Sequence, residues 1–86
     1  MHTVELLEAA LRLAATLGYE VRHEWLGGSG GGRCVLKGRQ CLFVDLALTP
    51  DEQLERVVAA LREDPQAAAR TDDAALAGLL AERKAA

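Results

Sequence analysis

The sequence predicts an α+β fold: a helix, a three-stranded antiparallel sheet and a second helix, followed by a marginal C-terminal helix. Three observations predict it, namely apolar residues at helical spacing before Gly18, strand-like segments within residues 19–48, and a strong helix start at Thr49. Because 86 residues suffice for one core but not for two, we expect a single α+β domain over residues 1–64 and a helical tail over residues 65–86.

The first helix is expected to begin at Thr3, as its N-cap, and to end at Gly18. Its broad apolar face is formed by Val4, Leu6, Leu7, Leu11, Leu13, Ala14 and Leu17. Residues 19–26 then alternate in the manner of a half-buried strand, with one side formed by Tyr19, Val21, His23 and Trp25. The glycines within residues 27–32 end this strand.

Two further strands are predicted over residues 33–37 and 40–47, joined by a type II′ turn with Gly38 and Arg39 at its centre. This register places five residues on one face of the sheet: Cys34, Leu36, Cys41, Phe43 and Asp45. It places four apolar residues on the other face, which we expect the helices to cover: Val35, Leu42, Val44 and Leu46. The first face then needs a cover of its own, and we favour a homodimer or partner surface over the tail helix.

A second helix is predicted from residues 49–52 (TPDE). They combine Thr49 as N-cap with a proline at the first helical position, two early acids and the spacing of a capping box. The buried stripe of this helix is formed by Leu54, Val57, Val58 and Leu61. Pro65 follows its end, and residues 71–73 are expected to start the last helix.

Charge and composition exclude two classes of function. The net charge is −3, and the ten Lys and Arg residues are spread along the chain instead of forming a basic stripe. Aromatic residues make up only 3%, so the chain lacks a series of rings on which bases stack, and nucleic-acid binding is not expected. No segment reaches the roughly 20 apolar residues that span a bilayer, and we expect a cytoplasmic protein without a membrane partner.

The glycine-rich loop of residues 27–32 has the length of a phosphate-binding loop but a different context. A P-loop follows a strand and opens a helix, whereas this loop leads into a strand. A structural loop is therefore favoured. The alternative is a small-molecule (anion or phosphate) site, or an enzymatic domain, in which cations assist the loop: Gly28, Gly30, Gly31, Gly32, Arg33, Lys37 and Arg39.

Neither a metal site nor a cofactor is predicted. Cys34 and Cys41 lack the spacing of zinc ligands. The predicted register puts Cys34 opposite Phe43, which leaves the two thiols as diagonal neighbours about 7–8 Å apart. We expect two reduced thiols, which His23 joins only if the first strand pairs with the right parity.

Asp45 is an acid inside an apolar strand, where an unpaired carboxylate is costly. We expect it to bond to Arg22, Arg33 or Lys37, to bond to a backbone amide, or to lie at an exposed sheet edge. A structural role is favoured over a catalytic one, because no His, Ser or second acid is obviously assigned to work with it.

Three segments resemble small uncharacterised bacterial proteins found in planctomycete-type genomes: residues 24–32 (EWLGGSGGG), 36–39 (LKGR) and 42–46 (LFVDL). This resemblance covers most of residues 5–63 and implies no activity. The arrangement of helix, small sheet and capped helix is similar, more weakly, to the first half of ImmA/IrrE-type zinc peptidases. In that family the capped helix carries HExxH, whereas residues 59–63 (AALRE) contain no histidine. The similarity therefore implies a metal-free relative used for binding.

The expected function is that of a non-enzymatic interaction or accessory domain that forms a homodimer or binds a protein partner. Trp25 borders the glycine-rich loop, where it serves either as a binding anchor or as a plug closing one end of the core. The expected contact residues are Trp25, Cys34, Leu36, Cys41 and Phe43. No catalytic residue is assigned.

Overall fold

The computed structural model describes residues 2–82 and has the predicted α+β fold with a three-stranded sheet. In chain order the elements are α1 (Thr3–Thr16), β1 (Glu20–Glu24), β2 (Gly32–Leu36), β3 (Arg39–Asp45), α2 (Pro50–Arg62), α3 (Ala67–Arg70) and α4 (Ala74–Ala81). Residues 83–86 of the predicted tail lie outside the described residues.

The sheet is mixed, so the prediction of a purely antiparallel sheet is wrong. The strand order is β1-β3-β2, with β2 antiparallel and β1 parallel to the central strand β3. Alternation along β1 indicates a half-buried strand but does not say which strand it pairs with. The loop after β1 carries the chain past the end of β3 to its other edge, and β2 then returns along β3.

The hairpin turn between β2 and β3 lies one residue earlier than predicted. Lys37 and Gly38 occupy its centre with φ values of 51° and 80°, which is the type I′ turn and not type II′. Cys34 is therefore opposite Cys41, and Phe43 is opposite Gly32. Moving a two-residue turn by one position changes each partner by two positions, so the predicted division of residues between the faces is unchanged.

The core lies between the helices and one face of the sheet. From β3, Leu42 and Val44 enter it fully, together with apolar residues of α1 and α2: Leu7, Leu13, Val57, Val58 and Leu61. Two of the four residues expected beneath the helices are exposed, because Val35 (66%) lies on the edge strand and Leu46 (38%) lies beyond the end of β3.

The predicted helix ends are correct with one exception. At the start of α2, Thr49 and Glu52 form the capping box, in which the Glu52 N–H donates to Thr49 Oγ1 (3.3 Å) and the Thr49 N–H to Glu52 Oε1 (2.9 Å). Gly18 follows α1 with a φ of +97°. Thr3 is the first helical residue of α1, and His2 before it is the N-cap. The Thr3 hydroxyl donates to Asp51 Oδ1 at 2.6 Å and ties α1 to α2.

Two helices, α3 and α4, are found where one C-terminal helix was predicted, and both add to the helical layer. Leu76 and Leu80 of α4 and Ala67 of α3 are buried in the same apolar cluster as α1 and α2. The Arg62 guanidinium donates to the Leu79 carbonyl oxygen at 2.8 Å and ties α2 to α4. No helix within residues 2–82 is long and apolar enough to cross a membrane.

Candidate functional site

One face of the sheet, the open face, lies away from the helical core. It carries Cys41 and Phe43 of β3, which do not belong to the core cluster, and Cys34 and Leu36 of β2. The structure thus brings together the four sheet residues predicted to form a contact surface. They differ in accessibility, since Leu36 (41%) and Cys34 are exposed, Phe43 is half-buried and Cys41 is buried at 2%.

Charged side chains of β1 occupy the other half of the open face. The Arg22 guanidinium lies over the Phe43 ring, 5.9 Å from its centroid. The same guanidinium pairs with Glu24 at 3.0 Å and with Glu20 at 3.7 Å. The accessible apolar part of the open face is therefore its β2 half.

A shallow depression interrupts this β2 half. Because Gly32 lies opposite Phe43 and has no side chain, the ring has no cross-strand neighbour on β2. The depression has a volume of about 240 Å³ and is lined by Leu26, Gly31, Gly32, Arg33, Cys34 and Phe43. It is large enough to receive one apolar side chain.

The outer edge of β2, the side that faces away from β3, is a second accessible surface. A type I′ turn makes Leu36 and Arg39 a hydrogen-bonded pair, and the bonding of an antiparallel ladder alternates from there. The N–H and C=O groups of Arg33 and Val35 therefore point outward. Within residues 2–82 no strand pairs with this edge. The sequence does not reveal this surface, because alternation indicates a strand without indicating whether that strand lies at an edge of the sheet.

The glycine-rich loop crosses the carboxyl end of β3, where Asp45 holds it. Asp45 is 1% exposed. Its Oδ1 accepts from the N–H of Leu26 (3.0 Å) and of Ala47 (2.9 Å), and its Oδ2 accepts from the N–H of Gly30 (3.1 Å). Of the partners predicted for Asp45, the structure selects backbone amides.

Two loop glycines resist substitution, Gly31 through a close contact with backbone and Gly30 through its left-handed φ. A Cβ on Gly31 would lie 2.2 Å from the Phe43 carbonyl oxygen, and φ there is +68°. A Cβ on Gly30 would lie 2.9 Å from the Arg56 guanidinium carbon, at a φ of +101°. The glycines thus let the backbone turn tightly over the end of β3 and bring its amides to Asp45.

The loop amides satisfy the carboxylate of Asp45, an anion that belongs to the protein itself. Burial alone raises the pKa of Asp45, but the N–H groups of Ala47, Gly30 and Leu26 outweigh this effect and hold the pKa below its ordinary value of 3.8. Lys37 and Arg39 lie at the turn end of β3, roughly 20 Å of strand away from the loop. The residues of the predicted anion site are therefore divided between the two ends of the sheet.

The thiols are closer than predicted. Cys34 and Cys41 are directly opposite and both are free, so their separation as diagonal neighbours was wrong. His23 pairs with Val44 on the face that the helices cover, and so points away from the thiols. Among residues 2–82 no three His, Cys, Asp or Glu side chains are grouped as metal ligands.

Trp25 follows β1 and is 74% exposed, which rules out the core plug. Its role as a binding anchor stays a prediction.

No protein-family model, curated protein or solved structure matches this chain. The resemblances to planctomycete-type proteins and to ImmA/IrrE-type peptidases therefore stay predictions.

Proposed function

We propose that this chain is a non-enzymatic interaction module that self-associates through the β2 side of its sheet. The β2 side comprises the outer edge of β2 and the accessible β2 half of the open face. One observation carries the proposal: an edge strand with outward backbone groups at Arg33 and Val35 also exposes the apolar side chains of Val35 and Leu36.

Such an edge readily accepts another strand. Unpaired N–H and C=O groups form a template for strand addition, and proteins that avoid it protect their edges with charges, prolines or bulges. Four of the five residues of β2 are exposed, and three consecutive ones (Cys34, Val35 and Leu36) are apolar. Pairing with another strand satisfies the backbone groups and removes apolar surface from water at the same time.

Anion binding by the loop receives less support. The amides of Leu26 and Gly30 already donate to the Asp45 carboxylate, which lies where a bound anion would have to lie. A catalytic role is likewise less supported, because the Asp45 oxygens accept backbone N–H groups and His23 faces away from Cys34.

The test is the mass of the protein in solution, measured by light scattering under reducing conditions from about 10 μM to 1 mM. We expect the mass to rise with concentration from 9.2 kDa toward twice that value. Val35→Lys places a cation on the edge and should raise the dissociation constant by at least about tenfold.

Val4→Lys is the matched control, because Val4 is also an exposed valine (54%) but lies on α1. It should leave the dissociation constant unchanged. A wild-type chain that stays monomeric throughout the series contradicts the proposed function, and so does an equal effect of the two lysines.

A further inference from the structure

We infer that β2 pairs with β2 of a second copy of this chain, antiparallel and with Cys34 on the two-fold axis, so that two sheets join into one of six strands. This inference rests on the proposed function and specifies its geometry. It follows from three properties of β2: its charges, its backbone hydrogen bonding and the depression beside Gly32.

Symmetry limits the possible registers to a few. A two-fold axis perpendicular to the sheet makes the two edge strands antiparallel, and paired residues then point to the same face. Every residue must therefore pair with one whose number has the same parity. Among the central residues of β2, this leaves three registers, centred on Arg33, Cys34 or Val35.

Charge selects one of the three. With Arg33 at the centre, the two Arg33 side chains lie directly opposite each other. With Val35 at the centre, Arg33 lies opposite Lys37 of the second copy. Like charges at directly opposed positions are destabilising. Only the register centred on Cys34 avoids both pairs, because it places Arg33 opposite Val35 of the second copy.

The backbone bonding fits this register. Arg33 and Val35 carry the outward N–H and C=O groups, so each Arg33 exchanges two hydrogen bonds with Val35 of the other copy. The two Cys34 residues become a pair without backbone hydrogen bonds, in which the Cα atoms lie about 4.5 Å apart.

The depression supplies shape complementarity. The register centred on Cys34 places Leu36 of one copy opposite Gly32 of the other, on the open face. Leu36 is 41% exposed in the single chain, and the depression beside Gly32 and Phe43 has the volume to receive it. Symmetry repeats this contact on the other side of the axis.

Two substitutions of Val35 that introduce opposite charges test the register. Val35→Glu sets a carboxylate opposite Arg33 of the second copy, twice in the dimer, whereas Val35→Lys sets two cations there. We expect the lysine variant to dissociate about tenfold more readily than the glutamate variant in low salt, as measured by light scattering. The difference should shrink in high salt.

Other registers give other results. If Val35 lies on the axis, either charge faces its own copy, and both variants dissociate alike. If Arg33 lies on the axis, position 35 faces Gly31, and neither charge has an opposing partner. Either result overturns the register while leaving self-association, and hence the proposed function, in place.

Cross-linking gives a second readout in a Cys41→Ala background, which leaves one thiol per chain. Diamide takes up the two electrons and two protons released when two Cys34 thiols form a disulfide. We expect a covalent dimer through Cys34. The control carries its single thiol at position 36 (Leu36→Cys with Cys34→Ser). At concentrations where light scattering shows both variants to be dimeric, it should cross-link at least about tenfold more slowly, because the two positions lie roughly 13 Å apart along the strands.

Faster cross-linking at position 36 than at position 34 overturns the inference. Should the Cys41→Ala background fail to fold, the same oxidation of the wild-type chain is analysed by mass spectrometry of its peptides. A Cys34 to Cys34 peptide between chains supports the register, and its absence from an oxidised dimer overturns it.

Discussion

The two edges of the sheet differ in how they meet water. On β1, Glu20, Arg22 and Glu24 project to the open face and are joined through the Arg22 guanidinium. On β2 the corresponding positions are Gly32, Cys34 and Leu36, which carry no charge. Under the proposed function, the apolar edge accepts another strand whereas the charged edge resists it.

The edges also differ in how they are held. β1 follows α1 directly and lies parallel to the central strand. β2 is fixed by the two-residue turn at one end and by the glycine-rich loop at the other, and Asp45 holds that loop. The position of the apolar edge therefore depends on a few hydrogen bonds and close backbone contacts at the loop.

The largest effect is expected from Gly31→Ala, which attacks the loop that holds β2. Its Cβ would lie 2.2 Å from the Phe43 carbonyl oxygen, so the loop or β3 must move. We expect the variant to lose roughly 3–5 kcal/mol of unfolding free energy, from steric overlap and from a positive φ on an alanine. Urea denaturation followed by circular dichroism measures this loss.

Gly28→Ala separates overlap from backbone strain. Gly28 also has a positive φ, +86°, but no atom lies within 4 Å of the position that a Cβ would take there. We expect a loss of only about 1–2 kcal/mol. Equal losses of unfolding free energy in the two variants would show that the close contact between Gly31 and Phe43 does not contribute to stability.

A smaller effect is expected from Asp45→Asn, which keeps the shape of the side chain and removes its charge. The amide of asparagine turns an N–H₂ donor toward backbone donors that the carboxylate accepted. Near neutral pH we expect the midpoint of thermal unfolding to fall by roughly 10 °C. Hydrogen exchange of the Gly30 amide should accelerate, whereas exchange of the β1 amides, which lie outside the loop, should change less.

The pH dependence of this difference follows from the lowered pKa of Asp45. A depressed pKa stabilises the folded state above the unfolded value, near 3.8, and that contribution disappears as the pH falls through the folded value. The difference in thermal unfolding midpoint between wild type and Asp45→Asn should therefore have its whole size above about pH 5 and shrink below about pH 4. If this difference is constant from pH 7 to pH 3, the substitution acts through packing and not through charge.

Other carboxylates account for the acid sensitivity that the variant keeps. Asp64 has a lowered pKa, chiefly through the backbone N–H of Gln66. Glu52 also has a lowered pKa, chiefly through the backbone N–H of Thr49. Both lie at the ends of α2, and Asp64 also accepts from the hydroxyl of Tyr19 at 2.9 Å.

Local signals explain which parts of this fold were predictable. The capping box of Thr49 and Glu52 and the positive φ of Gly18 depend on neighbours within a few residues. The division of β2 and β3 between two faces was also correct, because it depends on strand parity and survives a one-residue error in the turn.

The features that separate the two edges were not predictable from local signals. Nothing within β1 specifies that it pairs parallel to β3, and that pairing decides which strands become edges. The turn was misplaced because Lys37, which is not a glycine, adopts a φ of 51°. Asp45 was correctly singled out, but its loop partners depend on the path that the chain takes over the end of β3.

The smallest effect is expected from Arg22→Val, which removes the cation that joins Glu20 and Glu24 on the charged edge. The ion pairs of Arg22 with Glu20 and Glu24 are half exposed, so their loss should cost about 0.2–1 kcal/mol in urea denaturation. The solution mass should not rise above that of the dimer, because Glu20 and Glu24 stay on β1 and their like charges oppose strand addition. Arg39→Val is the control, since Arg39 is an exposed arginine on the central strand and its loss creates no new edge. Association of Arg22→Val beyond the dimer would contradict the protection of β1 by its charges.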